Sequence, residues 1–148
     1  MRVLVVSEDV TERLRAVSAM ALHIDDPIEV VEASSGDEAR RLLAGDAAFD
    51  VLVVDGDLQP RGGFALLYEL RSRAELTGST PPPSVVLASR EQDRWLARWA
   101  GANDVVFKPV DPFALADRVV GVRTETLAPY GDAASTREQV AAATRRHG

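Results

Sequence analysis

The sequence predicts an α/β protein with a five-stranded parallel sheet covered by helices. Five short, valine-rich apolar runs alternate with segments that have the periodicity of helices. The runs are continuous, which is typical of strands that are buried on both faces. Because right-handed crossovers through the helices bring successive strands back in the same direction, the carboxyl ends of the strands should share one rim of the sheet.

The composition suits one globular domain. The chain has 148 residues, 46% of them hydrophobic, and no cysteine, so it can form a core but no disulfide, in keeping with a reducing cytosol. A formal net charge of -6 argues against nucleic-acid binding as the main activity and favours proteins or a cation as partners. The apolar run at the N-terminus is too short for a signal peptide or a membrane span, so we expect a soluble cytoplasmic protein.

The elements follow one another in regular order. The predicted strands are Arg2–Val6, Ile28–Ala33, Val51–Val54, Ser84–Ala88 and Asp104–Phe107. The predicted helices are Val10–Ile24, a helix between Ser35 and Gly45, Gly63–Arg73, Glu91–Ala100 and Asp111–Arg123. In the first helix the apolar residues at helical spacing predict the buried face; they are Val10, Leu14, Val17, Ala21 and Ile24.

Capping patterns mark two helix starts. Ser35 has Glu38 three residues later, and Ser89 has Gln92 at the same spacing, as in a capping box. The stretch Glu75–Pro83 ends in three prolines and is interpreted as a surface loop, because the alternation of strands and helices resumes after it.

Polar residues that can carry chemistry follow four of the five strands. They are Ser7, Glu8, Asp9, Asp55, Asp57, Ser89 and Lys108. In an open parallel sheet, ligands bind just beyond the carboxyl ends of the strands. Asp55 on its own could equally cap a turn, but several carboxylates at one rim repel one another unless a cation lies between them.

These residues resemble the receiver domains of two-component response regulators. The resemblance covers Arg2 to about Arg123 and depends on an ordered set of motifs rather than on any single one. The motifs are VLVV followed by acids, VLVVDGDL with Gly63 eight residues after Asp55, VVLAS, Gly101-Ala102 and Phe107-Lys108-Pro109. The resemblance implies a flavodoxin-like, three-layer (βα)5 fold with strand order 2-1-3-4-5, and a signalling domain rather than an enzyme.

The resemblance also implies roles for individual residues. Asp55 matches the phosphoacceptor of the family, which takes a phosphoryl group from a histidine kinase or a phosphotransfer protein. Glu8, Asp55 and the backbone carbonyl of Asp57 match the ligands of Mg²⁺, the expected cofactor. Lys108 would contact the phosphoryl group, and Ser89 would hydrogen-bond it after transfer and draw its own loop toward the site.

The chain departs from the family at several of these positions. Ser7-Glu8 stands where two adjacent acids are usual, which could weaken Mg²⁺ binding, and Asp9 would compensate if its side chain turned inward. Arg90 follows Ser89 where a small residue is usual, so it is a candidate gate or a surrogate cation for Asp55. Val105 replaces the aromatic switch residue of the family.

Trp95 and Trp99 lie one helical turn apart. Core packing is the commoner role for such a pair, but an exposed indole beside Val105 would mark a docking or homodimer surface. Residues 124–148 lie outside the resemblance. There Ser135 and Glu138 precede a short helical segment, Val140–Arg146, which would be marginal on its own, so a disordered or loosely docked tail is expected after a receiver domain at 1–123.

We therefore expect a single-domain response regulator that accepts a phosphoryl group and signals through protein contacts. The alternative is a receiver-like interaction module that works without phosphorylation, held in one state by Arg90 and a short loop after the fourth strand. A flavodoxin-like cofactor binder or hydrolase is less favoured, because no glycine-rich phosphate loop follows the first strand.

Overall fold

The structure is a computed structural model that describes residues 1–59 and 61–127. Its strands are β1 (Arg2–Val6), β2 (Glu29–Ala33), β3 (Val51–Asp55), β4 (Ser84–Ala88) and β5 (Asp104–Phe107). All four strand pairings are parallel, and the strand order is β2-β1-β3-β4-β5. The predicted flavodoxin-like sheet is confirmed.

Five helices cover the two faces of the sheet. They are α1 (Val10–His23), α2 (Gly36–Leu43), α3 (Gly63–Thr77), α4 (Asp93–Ala100) and α5 (Pro112–Leu127). One core cluster joins the sheet to α1 and α5, and a second joins the opposite face to α2, α3 and α4. The molecule therefore has the three layers that the resemblance implied.

All five residues of the central strand β3 are buried. Val51 and Val53 point into the α1/α5 layer, while Leu52 and Val54 point into the opposite layer. Each such valine or leucine stabilises the fold by about 1.5–3 kcal/mol when fully buried. The continuous apolar run thus places Asp55, its last residue, at the end of a rigid, fully buried strand.

The predicted buried face of α1 is confirmed at Ile24, which is 7% exposed, but is wrong at Val10 and Leu14. Ala16, Ala19 and Met20 are buried, whereas Val10 is 57% and Leu14 is 51% exposed. Helix α1 packs against α5, and its small alanine side chains allow the two helices to approach. The apolar spacing did not identify Ala16, Ala19 and Met20, which form the buried face.

Three helix boundaries differ from the prediction by more than one residue. Helix α3 continues to Thr77 and ends at Gly78, which adopts a left-handed conformation with φ +71°. Helix α4 begins at Asp93 rather than Glu91, and α5 runs to Leu127, beyond the predicted boundary at Arg123. The predicted C-terminal segment Val140–Arg146 lies outside the described residues. Within the described ranges, no helix is both long enough and apolar enough to cross a membrane.

Candidate functional site

The Asp55 carboxylate lies at the carboxyl end of β3 and is 3% exposed. Its Oδ2 accepts a hydrogen bond from the Ser7 hydroxyl at 2.7 Å. Its Oδ1 accepts hydrogen bonds from the Lys108 ammonium at 2.7 Å and from the Asp57 backbone N–H at 2.9 Å. Both oxygens of this buried carboxylate are therefore bound by donors, one of which is a cation.

The strand register brings these groups together. Val6 pairs with Val54, so the next residue of each chain segment, Ser7 and Asp55, lies at the end of a neighbouring strand. The Lys108 N–H donates to the Ala88 carbonyl, which ties the end of β5 to the end of β4. Three separate parts of the chain thus meet at the rim, as the sequence predicted for Asp55 and Lys108.

The Asp57 side chain forms the second half of the site. Its Oδ2 accepts a hydrogen bond from the Ser89 hydroxyl at 2.5 Å and one from the Lys108 ammonium at 3.1 Å. The hydrogen bond from Ser89 is the largest influence on the pKa of Asp57 and lowers it. The Lys108 ammonium lowers it further, so the pKa stays below its ordinary value although partial desolvation raises it. The resemblance implies a role only for the backbone carbonyl of Asp57, and residue order carries no signal for this carboxylate.

Lys108 bridges the two acids. Burial is the largest single influence on its ammonium group and lowers its pKa, but the hydrogen bonds and charges of Asp55 and Asp57 together outweigh burial. The pKa of Lys108 is therefore raised above its ordinary value. Lys108 remains charged at neutral pH and supplies a fixed positive charge at the rim.

Glu8 and Asp9 are arranged differently from Ser7. The exposed Glu8 carboxylate accepts a hydrogen bond from the Gln59 N–H at 3.0 Å. Asp9 is the N-cap of α1, where its carboxylate accepts hydrogen bonds from the Thr11 and Glu12 N–H groups. The condition under which Asp9 would compensate for Ser7, an inward-turned side chain, is not met here, because its carboxylate caps the helix.

The loop between β4 and α4 is anchored by an acid that sequence reasoning did not consider. Asp93 is 1% exposed, and its Oδ2 accepts hydrogen bonds from the N–H groups of Ser89 and Arg90. The predicted capping box between Ser89 and Gln92 is wrong, because the Ser89 hydroxyl binds Asp57 instead. The only sequence signal for this anchor was an acid at the start of α4.

Arg90 does not take the place of a cation for Asp55. Its guanidinium donates to Asp93 Oδ1 at 3.0 Å, which corrects the predicted pairing with Asp55. Lys108 occupies that position. The interpretation of Arg90 as a gate stays a prediction.

The two tryptophans of α4 are exposed, so of the two alternatives core packing is wrong and the exposed pair expected of a docking surface is observed. Trp95 is 63% exposed and Trp99 is 48% exposed. The indole of Trp99 stacks on the ring of Tyr68 from α3, with the ring centroids 4.6 Å apart. Val105 is half-buried on β5 and packs against the core on the α2/α3/α4 side. Tyr68, Trp95 and Trp99 form an exposed surface on α3 and α4, called the aromatic surface below.

Gly63, at the start of α3, lies directly against the end of β3. A Cβ on this residue would overlap the backbone carbonyl oxygen of Asp55 and would lie 2.6 Å from Val54 Cγ1. Only glycine allows this approach. The spacing of eight residues between Asp55 and Gly63 thus has a steric cause in this fold.

The donor atoms at the rim fit a hard cation in their chemistry. Carboxylate and backbone carbonyl oxygens are the ligands that Mg²⁺ prefers, and it commonly keeps several waters. Asp55, Glu8 and the Asp57 carbonyl all supply oxygen donors near the same strand ends. Glu8 would have to exchange its hydrogen bond with the Gln59 N–H to take part. Among the described residues, no group of three or more acidic, histidine or cysteine side chains is already assembled for a metal ion.

Comparison with known proteins identifies the family. The model of the response regulator receiver domain matches residues 3–120. An uncharacterized response regulatory protein of Mycobacterium tuberculosis, from strains CDC 1551 / Oshkosh and H37Rv, is 33% identical over 125 residues, which cover 82% of this chain and 90% of that protein. The chain belongs to the response regulator receiver domain family of two-component signalling.

Solved structures confirm the fold. The co-crystal structure of the Saccharomyces cerevisiae histidine phosphotransfer protein Ypd1 with the receiver domain of Ssk1 contains a chain that matches with a TM-score of 0.75 and 20% identity, over 88% of this chain and 93% of that chain. A response regulator receiver domain protein from Clostridium thermocellum matches with a TM-score of 0.70 and 20% identity, over 84% and 95%. The family is a signalling family and not a classical enzyme family.

Proposed function

We propose that the protein is a phosphorylatable receiver that accepts a phosphoryl group on Asp55. The observation that carries this proposal is the environment of the Asp55 carboxylate, which is 3% exposed and bound by Lys108 and Ser7 at 2.7 Å each. A buried acid held by a lysine and a hydroxyl at a strand end has a fixed orientation. Such positioning, together with electrostatic stabilisation, supplies most of the catalysis in phosphoryl transfer.

The proposed reaction is an in-line displacement on phosphorus. An Asp55 carboxylate oxygen forms a bond to phosphorus, and the bond from phosphorus to the imidazole nitrogen of a donor phosphohistidine breaks. The electron pair of that bond stays on the imidazole nitrogen, and the product is an aspartyl phosphate. Lys108 already contacts Asp55, and it would offset the charge that gathers on the phosphoryl oxygens.

A divalent cation, proposed as Mg²⁺, would be held by Asp55, Glu8 and the backbone carbonyl of Asp57. When bound, it supplies further neutralisation of the phosphoryl oxygens. Ser7 stands where the family usually has an acid, and its hydroxyl donates to Asp55 rather than adding a negative charge. We therefore expect weaker Mg²⁺ binding than a site with two adjacent acids would give.

The proposed partners are proteins of a cytoplasmic phosphorelay. A histidine kinase or a phosphotransfer protein would supply the phosphoryl group, and receiver domains of this family interact with such proteins. The aromatic surface on α3 and α4 is the proposed contact for an output protein or for a second copy of the chain, because tryptophan and tyrosine dominate binding hot spots. The net charge of -6 disfavours direct contact with nucleic acid.

Incubation with acetyl phosphate and Mg²⁺, followed by intact mass measurement, tests the proposal. The expected result is one added phosphoryl group on the wild type and none on Asp55→Asn, which replaces the nucleophilic carboxylate by a neutral amide of the same shape. The absence of added phosphate under saturating conditions, or an equal gain in the variant, would overturn the assignment of Asp55.

A second candidate function is a receiver-like module that binds its partner without phosphorylation. The observation that favours it is the position of the Glu8 carboxylate, which binds the Gln59 N–H and leaves Asp55 to Lys108 and Ser7. The Asp55 charge is thus compensated by protein groups. Partner binding that is unaffected by acetyl phosphate and by Mg²⁺ would support this function over the first.

A further inference from the structure

We propose that the Asp57 carboxylate is an internal stand-in for the phosphoryl group. It accepts hydrogen bonds from both Ser89 and Lys108, and it holds the Ser89 hydroxyl in the inward position before any phosphate arrives. The inference concerns the state of the unphosphorylated site. Its consequence for phosphate uptake depends on the proposed function, that is, on transfer to Asp55.

The contacts of Asp57 are those expected of an anion in the site. A single oxygen, Oδ2, accepts hydrogen bonds from the Ser89 hydroxyl at 2.5 Å and from the Lys108 ammonium at 3.1 Å. Ser89 and Lys108 follow two different strands, β4 and β5, so the carboxylate joins two strand ends. Hydrogen bonds that involve an ionised group are about twice as strong as neutral ones. The hydrogen bond to Asp57 therefore stabilises the orientation of the Ser89 hydroxyl toward the site.

The side chain of Asp57 can be displaced. It is 53% exposed, whereas the neighbouring Asp55 is 3% exposed. Lys108 also keeps its shorter contact with Asp55 when Asp57 leaves. An incoming phosphoryl group can thus replace the Asp57 carboxylate without breaking the pair between Asp55 and Lys108.

Asp93 also anchors the loop after β4, so losing the Asp57 carboxylate should not loosen the whole loop. The N–H groups of Ser89 and Arg90 donate to Asp93, which belongs to α4. Loss of the Asp57 carboxylate should free the Ser89 hydroxyl while Asp93 still holds the backbone. The expected change is therefore local to Ser89.

Two consequences follow for phosphorylation. The negative charge of Asp57 repels the incoming phosphoryl group, and its carboxylate competes for the same two donors. Removing the carboxylate should therefore speed phosphate uptake on Asp55. In the wild type, phosphorylation should change the environment of Ser89 little, because one anion only replaces another.

The test compares wild type, Asp57→Ala and Asp57→Asn. Asp25→Asn is the matched control, because Asp25 is exposed and lies at the opposite end of α1 from the rim. Backbone ¹H–¹⁵N spectra of the full chain report on Ser89 before and after treatment with acetyl phosphate and Mg²⁺, and intact mass gives the rate of uptake. Asp57→Asn removes the repulsion but keeps a neutral acceptor, so it should give an intermediate result.

We expect the Ser89 signal of the unphosphorylated protein to move in Asp57→Ala, and uptake to be about tenfold faster than in wild type and in the Asp25 control. An unmoved Ser89 signal would overturn the inference, and so would slower or unchanged uptake. If neither wild type nor variant takes phosphate, the proposed function fails, whereas a moved Ser89 signal still supports the stand-in.

Discussion

Replacing Lys108 by methionine tests the electrostatic core of the site. Methionine keeps most of the apolar length of the side chain and removes the ammonium group. The Lys108 side chain is 18% exposed and its partner Asp55 is 5% exposed at the side chain, with 2.7 Å between Nζ and Oδ1. The variant therefore leaves a buried carboxylate with only the Ser7 hydroxyl and one backbone N–H as donors.

The expected cost is large for a single substitution. Breaking a buried ion pair by removing one partner costs about 3–5 kcal/mol. Because Lys108 is not fully buried, we expect the lower end, about 3 kcal/mol, which corresponds to a fall in Tm of about 6–12 °C for a chain of this size. In an Asp55→Asn background the same substitution should cost less than about 1 kcal/mol, since no buried charge is left unpaired.

Urea denaturation of the four proteins of this double-mutant cycle measures the coupling. The matched control is Arg118→Met, which breaks an exposed pair with Asp104 whose side chains are 46% and 35% exposed and should cost less than about 1 kcal/mol. If Lys108→Met costs no more than Arg118→Met, or costs the same with and without the Asp55 charge, the electrostatic reasoning is refuted.

Three further predictions concern backbone space, pH and the aromatic surface. Gly63→Ala should lower the free energy of unfolding by about 2–4 kcal/mol, because its Cβ would overlap the backbone of Asp55. The control, Gly121→Ala in α5, places its Cβ in open space and should be neutral or stabilise the protein by up to about 1 kcal/mol. Equal effects of the two substitutions in urea titrations would contradict the steric argument. Because the pKa of Lys108 is raised from 10.5 in the folded state, its stabilisation is complete below that value and is lost as pH rises through the folded pKa. The difference in stability between wild type and Lys108→Met should accordingly stay constant from about pH 7 to about pH 9 and shrink above 10.5; a difference that shrinks toward acid within that window would be the wrong sign. Trp99→Ala should cost about 0.5–1.5 kcal/mol of stability beyond lost burial, through its stacked tyrosine, and should weaken partner binding; unchanged affinity in calorimetry would remove Trp99 from the contact surface.

The fold could be predicted from the sequence because strands buried on both faces appear as continuous runs of apolar residues. Runs such as Val51–Val54 have one interpretation once they alternate with helices, and the parallel rim follows from chain topology. The buried face of α1 could not be predicted in the same way. It depends on how closely α5 approaches, and the small residues Ala16 and Ala19 make that contact while Leu14 stays exposed.

The candidate site was predictable where a strand end fixes the side chain. Asp55 and Lys108 meet because β3, β4 and β5 pair in parallel and end at the same rim. Side chains on the loops were not predictable, since several nearby donors compete for each carboxylate. Asp57 binds Ser89, and Glu8 binds the Gln59 N–H, and neither choice has a signature in residue order.

Locating the phosphoryl group is the most direct test of the central claim, because Asp55 and Asp57 are two residues apart and both contact Lys108. Treatment with acetyl phosphate and Mg²⁺, reduction of the acyl phosphate with borohydride and peptide mass spectrometry convert the acceptor aspartate into homoserine and locate it. We predict homoserine at position 55 alone. Homoserine at position 57, or at neither position, would contradict the assignment of Asp55 as the acceptor.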